Sequence, residues 1–396
     1  MTISPSDQPK PRIALYSHDT MGLGHIRRNT LLAQTLIKPP LSADVLLISG
    51  IRESGAYPMP KGIDSITLPA YQKLPDGSYK SRSLDIDVER LIRLRAGAIS
   101  ATLSAFEPDL LIVDNVPRGA MDELTEPLEK LRDSKTRIVL GLRDIIDTPD
   151  VVARQWNKHD SFRFVQEHFD AIWIYGDTRL YDTARAYGLD RIEGTRVVNV
   201  GYLDPTARML PPTPGTARQK PYALCVLGGG QDGFSVAEAF ARAQLPRGWE
   251  GVIVTGSMMP AAARERLLEL TASRPEIDVF DFVNEPLQLL RGAEAVVAMA
   301  GYNTTMEVLA LNKRAMLVPR VTPRAEQWLR ASRLAELGLV NCVHPDALSA
   351  DTLGAWLAAG QNLPPPASRS LDFNGLQRVA EQAAELLSLP SPSPEL

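Results

Sequence analysis

Ala298-Met299-Ala300-Gly301-Tyr302-Asn303-Thr304-Thr305-Met306-Glu307 is the stretch whose reading decides the fold. The short apolar run 295–299 reads as a strand that ends in Ala-Gly, and a helix begins within a few residues. Asn303, Thr304 and Thr305 have side chains that cap helices, and the N–H groups of a helix start suit a pyrophosphate. Glu307 follows Asn303 and Thr304 by four and three residues, so all three share one helix face. A carboxylate there suits paired hydrogen bonds to ribose hydroxyls. A second strand, 315–319, leads to Arg320, and Glu326-Gln327 open the next helix.

Working outward, strand-then-helix units fill the chain. In the second half, apolar runs at 222–227, 251–255, 278–282, 295–299, 315–319 and 339–342 alternate with helices starting at Gly233, Pro260, Glu285, Thr304, Arg324 and Ser349. In the first half, runs at 12–17, 44–49, 109–114, 137–142, 171–175 and 196–200 alternate with helical patterns at 25–37, 84–106, 120–131, 151–169 and 178–187. Short β-branched runs separated by amphipathic helices predict βαβ units and parallel sheets. The stretch 204–221 has five prolines and no periodicity, which marks a linker. The predicted organisation is an α/β domain over 1–203, the linker 204–221, and a second domain over 222–370. Three prolines at 364–366 precede a last helix within 371–389, and a Pro/Ser-rich tail, read as disordered, occupies 390–396.

Composition narrows the function. The 396 residues include 43 Lys and Arg against 47 Asp and Glu, a net charge of −4, with 44% hydrophobic residues. That length suits two domains of about 100–200 residues each, and the charge balance argues against a nucleic-acid binder. Two separated cysteines, Cys225 and Cys342, and five scattered histidines predict neither disulfides nor a zinc site. Asp85-x-Asp87 opens a helix and reads as a capping pair, so no metal is expected. With no leader and no run of about 18–20 apolar residues, a soluble cytoplasmic protein is expected. The 31 prolines exceed the usual share of about 5%.

Ligands of open α/β sheets bind beyond the carboxyl ends of the strands. The first strand runs into Gly22-Leu23-Gly24-His25-Ile26-Arg27-Arg28, a glycine turn entering a helix. Arg27 stands where a dinucleotide fingerprint needs glycine, and Ser49 where it needs an acid, so NAD and FAD are not expected. No Gly-Lys-Ser/Thr follows, so the turn is not a P-loop. What remains places an imidazole, His25, at a helix start facing the cleft, where it either accepts a proton or caps the turn. Asp114 and Asp144 follow two further strands; each either orients His25, acts as the base itself, or caps the next helix. In the second half, Gly228-Gly229-Gly230-Gln231 and Thr255-Gly256-Ser257 end strands with free backbone N–H groups suited to phosphate.

Taken together, these motifs resemble a glycosyltransferase of the GT-B fold, two Rossmann-like domains facing across a cleft. The similarity is to bacterial family 28, which includes the UDP-N-acetylglucosamine transferase of peptidoglycan precursor synthesis. The family's acceptor-side glycine-histidine loop is answered by Gly22-Leu23-Gly24-His25, and its donor motif by Ala300-Gly301 and Glu307. The resemblance implies Thr304 at the diphosphate, Glu307 on the ribose and backbone near Phe282-Val283 at the base. The family's Gln-Gln falls on Glu326-Gln327, matched only at the second position, which leaves the sugar open. It further implies an inverting transfer from a nucleotide sugar, UDP-linked, to a hydroxyl acceptor such as a lipid-linked or polysaccharide precursor, without metal or cofactor. A final helix would cross back to the first domain. The same glycine-histidine loop, ending in Arg28, also resembles a UDP-sugar hydrolase of pseudaminic acid synthesis, in which histidine activates water. A non-catalytic nucleotide-sugar binder is the third reading. Basic and aromatic residues in 57–82 (Lys61, Tyr71, Lys73, Tyr79, Lys80, Arg82) suit an acceptor site, peripheral contact with the inner membrane face, or a solvated loop.

Overall fold

A computed structural model of the chain describes residues 10–18, 24–51, 59–74, 78–208, 218–283, 285–360 and 371–388. Strand β1 (Arg12–Ser17) is buried from Ile13 onward, as in a strand covered on both faces. It is followed by α1 (Gly24–Leu36), β2 (Asp44–Ser49), β3 (Ile63–Thr67), β4 (Tyr71–Lys73), β5 (Tyr79–Ser81), α2 (Val88–Phe106) and β6 (Leu110–Asp114). Next come α3 (Thr125–Leu131), β7 (Arg137–Arg143), α4 (Pro149–Lys158), α5 (Ser161–His168), β8 (Ala171–Tyr175), α6 (Thr183–Ala186) and β9 (Arg196–Asn199). Seven of these strands form a parallel sheet in the order β3-β2-β1-β6-β7-β8-β9.

The second half repeats the plan with β10 (Tyr222–Val226), α7 (Phe234–Arg242), β11 (Glu250–Val254), α8 (Ala261–Thr271), β12 (Ile277–Phe280), α9 (Leu287–Gly292) and β13 (Ala295–Ala298). Then follow α10 (Tyr302–Ala310), β14 (Ala315–Leu317), α11 (Glu326–Glu336), β15 (Asn341–Cys342), α12 (Ala350–Ala359) and α13 (Gly375–Ser388). Its parallel sheet has the order β12-β11-β10-β13-β14-β15. In both sheets the first strand sits where the order reverses. The crevice at that switch point opens beyond β1 and β6 in one half, and beyond β10 and β13 in the other.

Three details depart from the sequence reading. Residues 57–82 were expected as an irregular region, but Ile63–Thr67 adds an edge strand and β4 pairs with β5 as an antiparallel hairpin. IDSIT buries only Ile63 fully, so its apolar signal is that of an edge. Tyr71 is buried, its hydroxyl 2.8 Å from Glu123, which also pairs with the fully buried Arg95 at 2.5 Å. It is thus part of the core and not available to a partner. The helix expected over 151–169 is two helices, because Asp160 adopts a left-handed conformation (φ 48°) between them. Asp87 caps α2, accepting from the Arg90 N–H at 2.6 Å.

The halves are joined by more than their linker. Helix α13 turns one face, Val379, Ala380, Ala383 and Leu386, into an apolar cluster that also holds Ile26 and Leu32 of α1. The same cluster continues into Val226, Ala300 and Met306 of the second half. Polar contacts cross the junction as well. Tyr302 donates to the Tyr175 carbonyl at 2.8 Å, and Arg330 of α11 meets Asp144 of the first half at 2.7 Å, with neither side chain exposed. Among the described residues no helix is long and apolar enough to cross a membrane.

Removing one partner of a fully buried ion pair strands the other charge, at a cost of about 3–5 kcal/mol. Asp144→Ala and Arg330→Met should each lower stability by that amount in urea unfolding, whereas the exposed pair Lys130–Glu126 should contribute under about 1 kcal/mol. Equal effects at the two sites would contradict the assigned burial.

Candidate active site at the cleft

A cavity of ≈ 260 Å³ lies between the two rows of strand ends. His25 reaches it from the first turn of α1. Its Nδ1 lies 2.6 Å from Oδ2 of Asp114, the last residue of β6. The His25 side chain is 18% exposed and that of Asp114 only 1%, so the ring bridges the cavity and a buried carboxylate. Arg28, one turn further along α1, places Nη2 at 2.5 and 2.7 Å from the two Asp114 oxygens and Nε at 3.1 Å from Oδ1. Burial alone would raise the Asp114 carboxyl, but Arg28 and then His25 hold it well below the usual carboxylate range. An ionised Asp114 accepts from Nδ1–H, so in the neutral form of the ring the lone pair lies on Nε2.

Two further residues complete this wall. The His18 ring packs 4.6 Å from that of His25, and burial pushes it well below its ordinary value, so it is neutral there. Arg143, at the end of β7, also lines the cavity.

Opposite, Gly228, Gly229, Gly256 and Ser257 bring backbone to the cavity surface. Gly256 has φ +84°, and a Cβ there would lie 2.3 Å from the Gly228 carbonyl oxygen and 2.6 Å from that of Gly229. The two glycine loops therefore pack backbone on backbone, which no side chain permits. Gly301, Asn303 and Thr304 line the floor at the start of α10, whose first-turn N–H groups lack partners within the helix. Asn303 also donates to the Gly24 carbonyl at 2.9 Å and ties the two walls together. Phe282, 44% exposed, and Val283 form one side.

The structure thus brings His25, Gly24, Gly229, Phe282, Gly301, Asn303 and Thr304 to one cavity, with Asp114 directly behind His25. Gly22 lies outside the described residues. The other candidates lie elsewhere in this structure. Asp144 does not face the cleft: it is held by Arg330, by the Tyr202 hydroxyl at 3.0 Å and by the Ile145 N–H at 2.6 Å. Glu307 does not line this cavity but a small adjoining pocket that shares Arg28, Tyr302 and Asn303 with it, where it is buried and paired at 2.6 Å with Arg208, which also lies 3.4 Å from Glu285. Glu326 pairs with Arg320 at 2.7 Å, and Gln327 accepts from the Arg320 N–H at 3.1 Å; neither lines the cavity. Gly230 packs against the Thr255 carbonyl, the Thr255 side chain is buried, and Gln231 is exposed outside the cavity. Asn303 and Thr304 lie inside α10, and Gly301 occupies the cap position without a side-chain bond. The sequence reading gave no role to Arg28, His18 or Arg143. Arg28 was visible as the end of the glycine-histidine motif; for Arg143 the adjacent carboxylate drew the attention instead.

Residues 223–381 match the glycosyltransferase family 28 C-terminal domain, so the expected resemblance holds over that half. No curated protein matches the chain. Solved structures resemble its whole length. The calicheamicin glycosyltransferase CalG4 superposes with TM-score 0.62 at 14% identity, covering 97% of this chain and 100% of that one. MurG of Acinetobacter baumannii gives 0.58 at 12% identity, with 95% and 100% covered. A structure from Listeria monocytogenes assigned as a UDP-N-acetylglucosamine 2-epimerase gives 0.60 at 12%, with 98% and 100% covered. The fold is GT-B, and residues 223–381 are similar to the C-terminal domain of glycosyltransferase family 28.

A depressed carboxyl adds stability that is complete above its unfolded value of about 3.9 and lost as pH falls below it. The urea-unfolding gap between wild type and Asp114→Asn should therefore hold steady from about pH 7 to pH 5 and narrow below about pH 4. A gap unchanged to about pH 3 would show that Asp114 is not ionised and paired.

Proposed function

We propose that the protein transfers a sugar from a nucleotide-diphosphate sugar to a hydroxyl acceptor, with His25 as general base. The observation that carries this reading is the 2.6 Å contact of His25 Nδ1 with buried Asp114, at a cavity faced by the start of α10. Nε2 takes the proton of the acceptor hydroxyl as its oxygen attacks the anomeric carbon, and the ionised Asp114 stabilises the imidazolium formed. The bond to the diphosphate breaks on the opposite side, which inverts the anomeric centre. Free N–H groups at the start of α10 and along the glycine loops meet the charge growing on the leaving diphosphate. In this scheme those donors take the place of a divalent ion. A UDP-linked donor is the reading favoured by the family 28 match. The acceptor would enter from the first half, where His25 stands.

Thermal-shift screening with UDP, GDP, dTDP and their sugars should show stabilisation by at least one nucleotide; none would overturn the donor-site assignment. With that donor, His25→Ala should lower turnover about 10²–10⁴-fold while leaving nucleotide affinity unchanged. Hydrolysis should be slow without acceptor. Full turnover with water alone would convert the reading to a hydrolase, and nucleotide binding without any turnover to a binding protein.

A further inference from the structure

One cation in the cleft has no task in the transfer chemistry just described. Arg143 ends β7 and lines the cavity together with His25 and Arg28. Its arginine neighbours Arg28 and Arg330 are each matched by a buried aspartate, Asp114 and Asp144. Glu326, the acidic group nearest in influence, meets Arg320 through Oε1 at 2.7 Å, and its buried Oε2 has no hydrogen-bond partner, so it acts on Arg143 through charge without a direct contact. Arg143 itself forms no ion pair among the described residues, and its Nε is buried with no hydrogen-bond partner. Burial first, then repulsion from Arg330, pushes the guanidinium down to about 10, so it remains charged at neutral pH. A desolvated, unmatched charge of this kind is unfavourable until an anion meets it.

The position of Arg143 decides which anion. The donor wall already has backbone N–H groups from the glycine loops and from the start of α10. Arg143 stands on the other wall, on the strand next to the one that carries Asp114. Its charge lies close enough to oppose protonation of His18, which packs on the His25 ring. A planar guanidinium fork fits phosphate or carboxylate oxygens in pairs. Resting on the transferase reading, we propose that Arg143 binds an oxyanionic group, phosphate or carboxylate, carried by the acceptor. That contact holds the acceptor hydroxyl beside His25.

The test titrates phenyl phosphate and benzoate into the full-length protein, alone and saturated with UDP, and follows binding by NMR. Wild type, Arg143→Gln and Arg143→Lys are compared, with UDP affinity and melting temperature measured on each. The expected result is binding of at least one oxyanion to the wild type with UDP present. That binding should weaken at least about tenfold in Arg143→Gln, in keeping with loss of a charge-assisted pair, and recover in part in Arg143→Lys, with UDP affinity unchanged. The tighter probe identifies the group. Oxyanion affinity unchanged in Arg143→Gln would overturn the proposal, and a lowered melting temperature alongside would mark the residue as structural. A parallel loss of UDP affinity would assign Arg143 to the donor diphosphate and overturn it too, as would failure of both probes to bind wild type. If no nucleotide binds the wild type, the transferase reading fails, while the titration without nucleotide still decides whether Arg143 holds an oxyanion.

Discussion

The buried pair Arg330–Asp144 is the constraint on which the rest of the cleft depends. Arg330 comes from α11 of the second half, and its guanidinium is spent entirely in the junction. It reaches Asp144 and the Ile145 carbonyl in the first half, and the Ala300 carbonyl in its own. Ala300 immediately precedes Gly301, the cap of α10. One desolvated cation therefore joins the halves and also fixes where the cleft-facing helix begins. Such a group is stable only when every donor is met, so the geometry around it tolerates little drift.

Two aspartates that look alike in the sequence do different work for this reason. Asp114 ends one central strand of the sheet and Asp144 directly follows its neighbour, and both are fully buried. Asp114 meets an arginine and a histidine of the same helix, and that histidine opens onto the cavity. Asp144 meets an arginine from the other half, a tyrosine hydroxyl and a backbone N–H, which occupy it completely. Position in the chain assigns both to the crevice; only the partner separates the one that backs a cavity-lining histidine from the one that joins the halves.

Much of the architecture was legible in the sequence because it follows from local period. Short β-branched runs between amphipathic helices specify parallel strands, and the glycines at 228–230 mark the end of the first strand of the second half. The edge strand Ile63–Thr67 was not legible, because a half-exposed strand lacks a continuous apolar run. The break at Asp160 was hidden because the helical pattern runs through it and a single left-handed residue leaves no periodic trace. For the site, residues were legible where backbone places them: His25, Gly229, Gly301, Asn303 and Thr304. The surroundings of Glu307, Glu326 and Gln327 were not legible, because helix spacing assigns a face without revealing a nearby cation. Arg208 lies far from Glu307 in sequence, and Arg320 precedes the helix that Glu326 opens, so neither pairing follows from helical spacing.

The two passages between the halves leave the first half at a single point. The Tyr202 N–H donates to the Asp372 carbonyl at 2.7 Å, and the Gly375 N–H donates back to the Tyr202 carbonyl at 3.0 Å. Leu203 and Asn374 form a bridge. The approach is so close that a Cβ at Gly375 would lie 2.6 Å from the Tyr202 oxygen. Two chain segments cross-tied by backbone bonds resist sliding past one another far more than they resist bending together. A side chain at Gly375 would push these two segments apart, so this glycine pins the register between the start of the linker and the last helix.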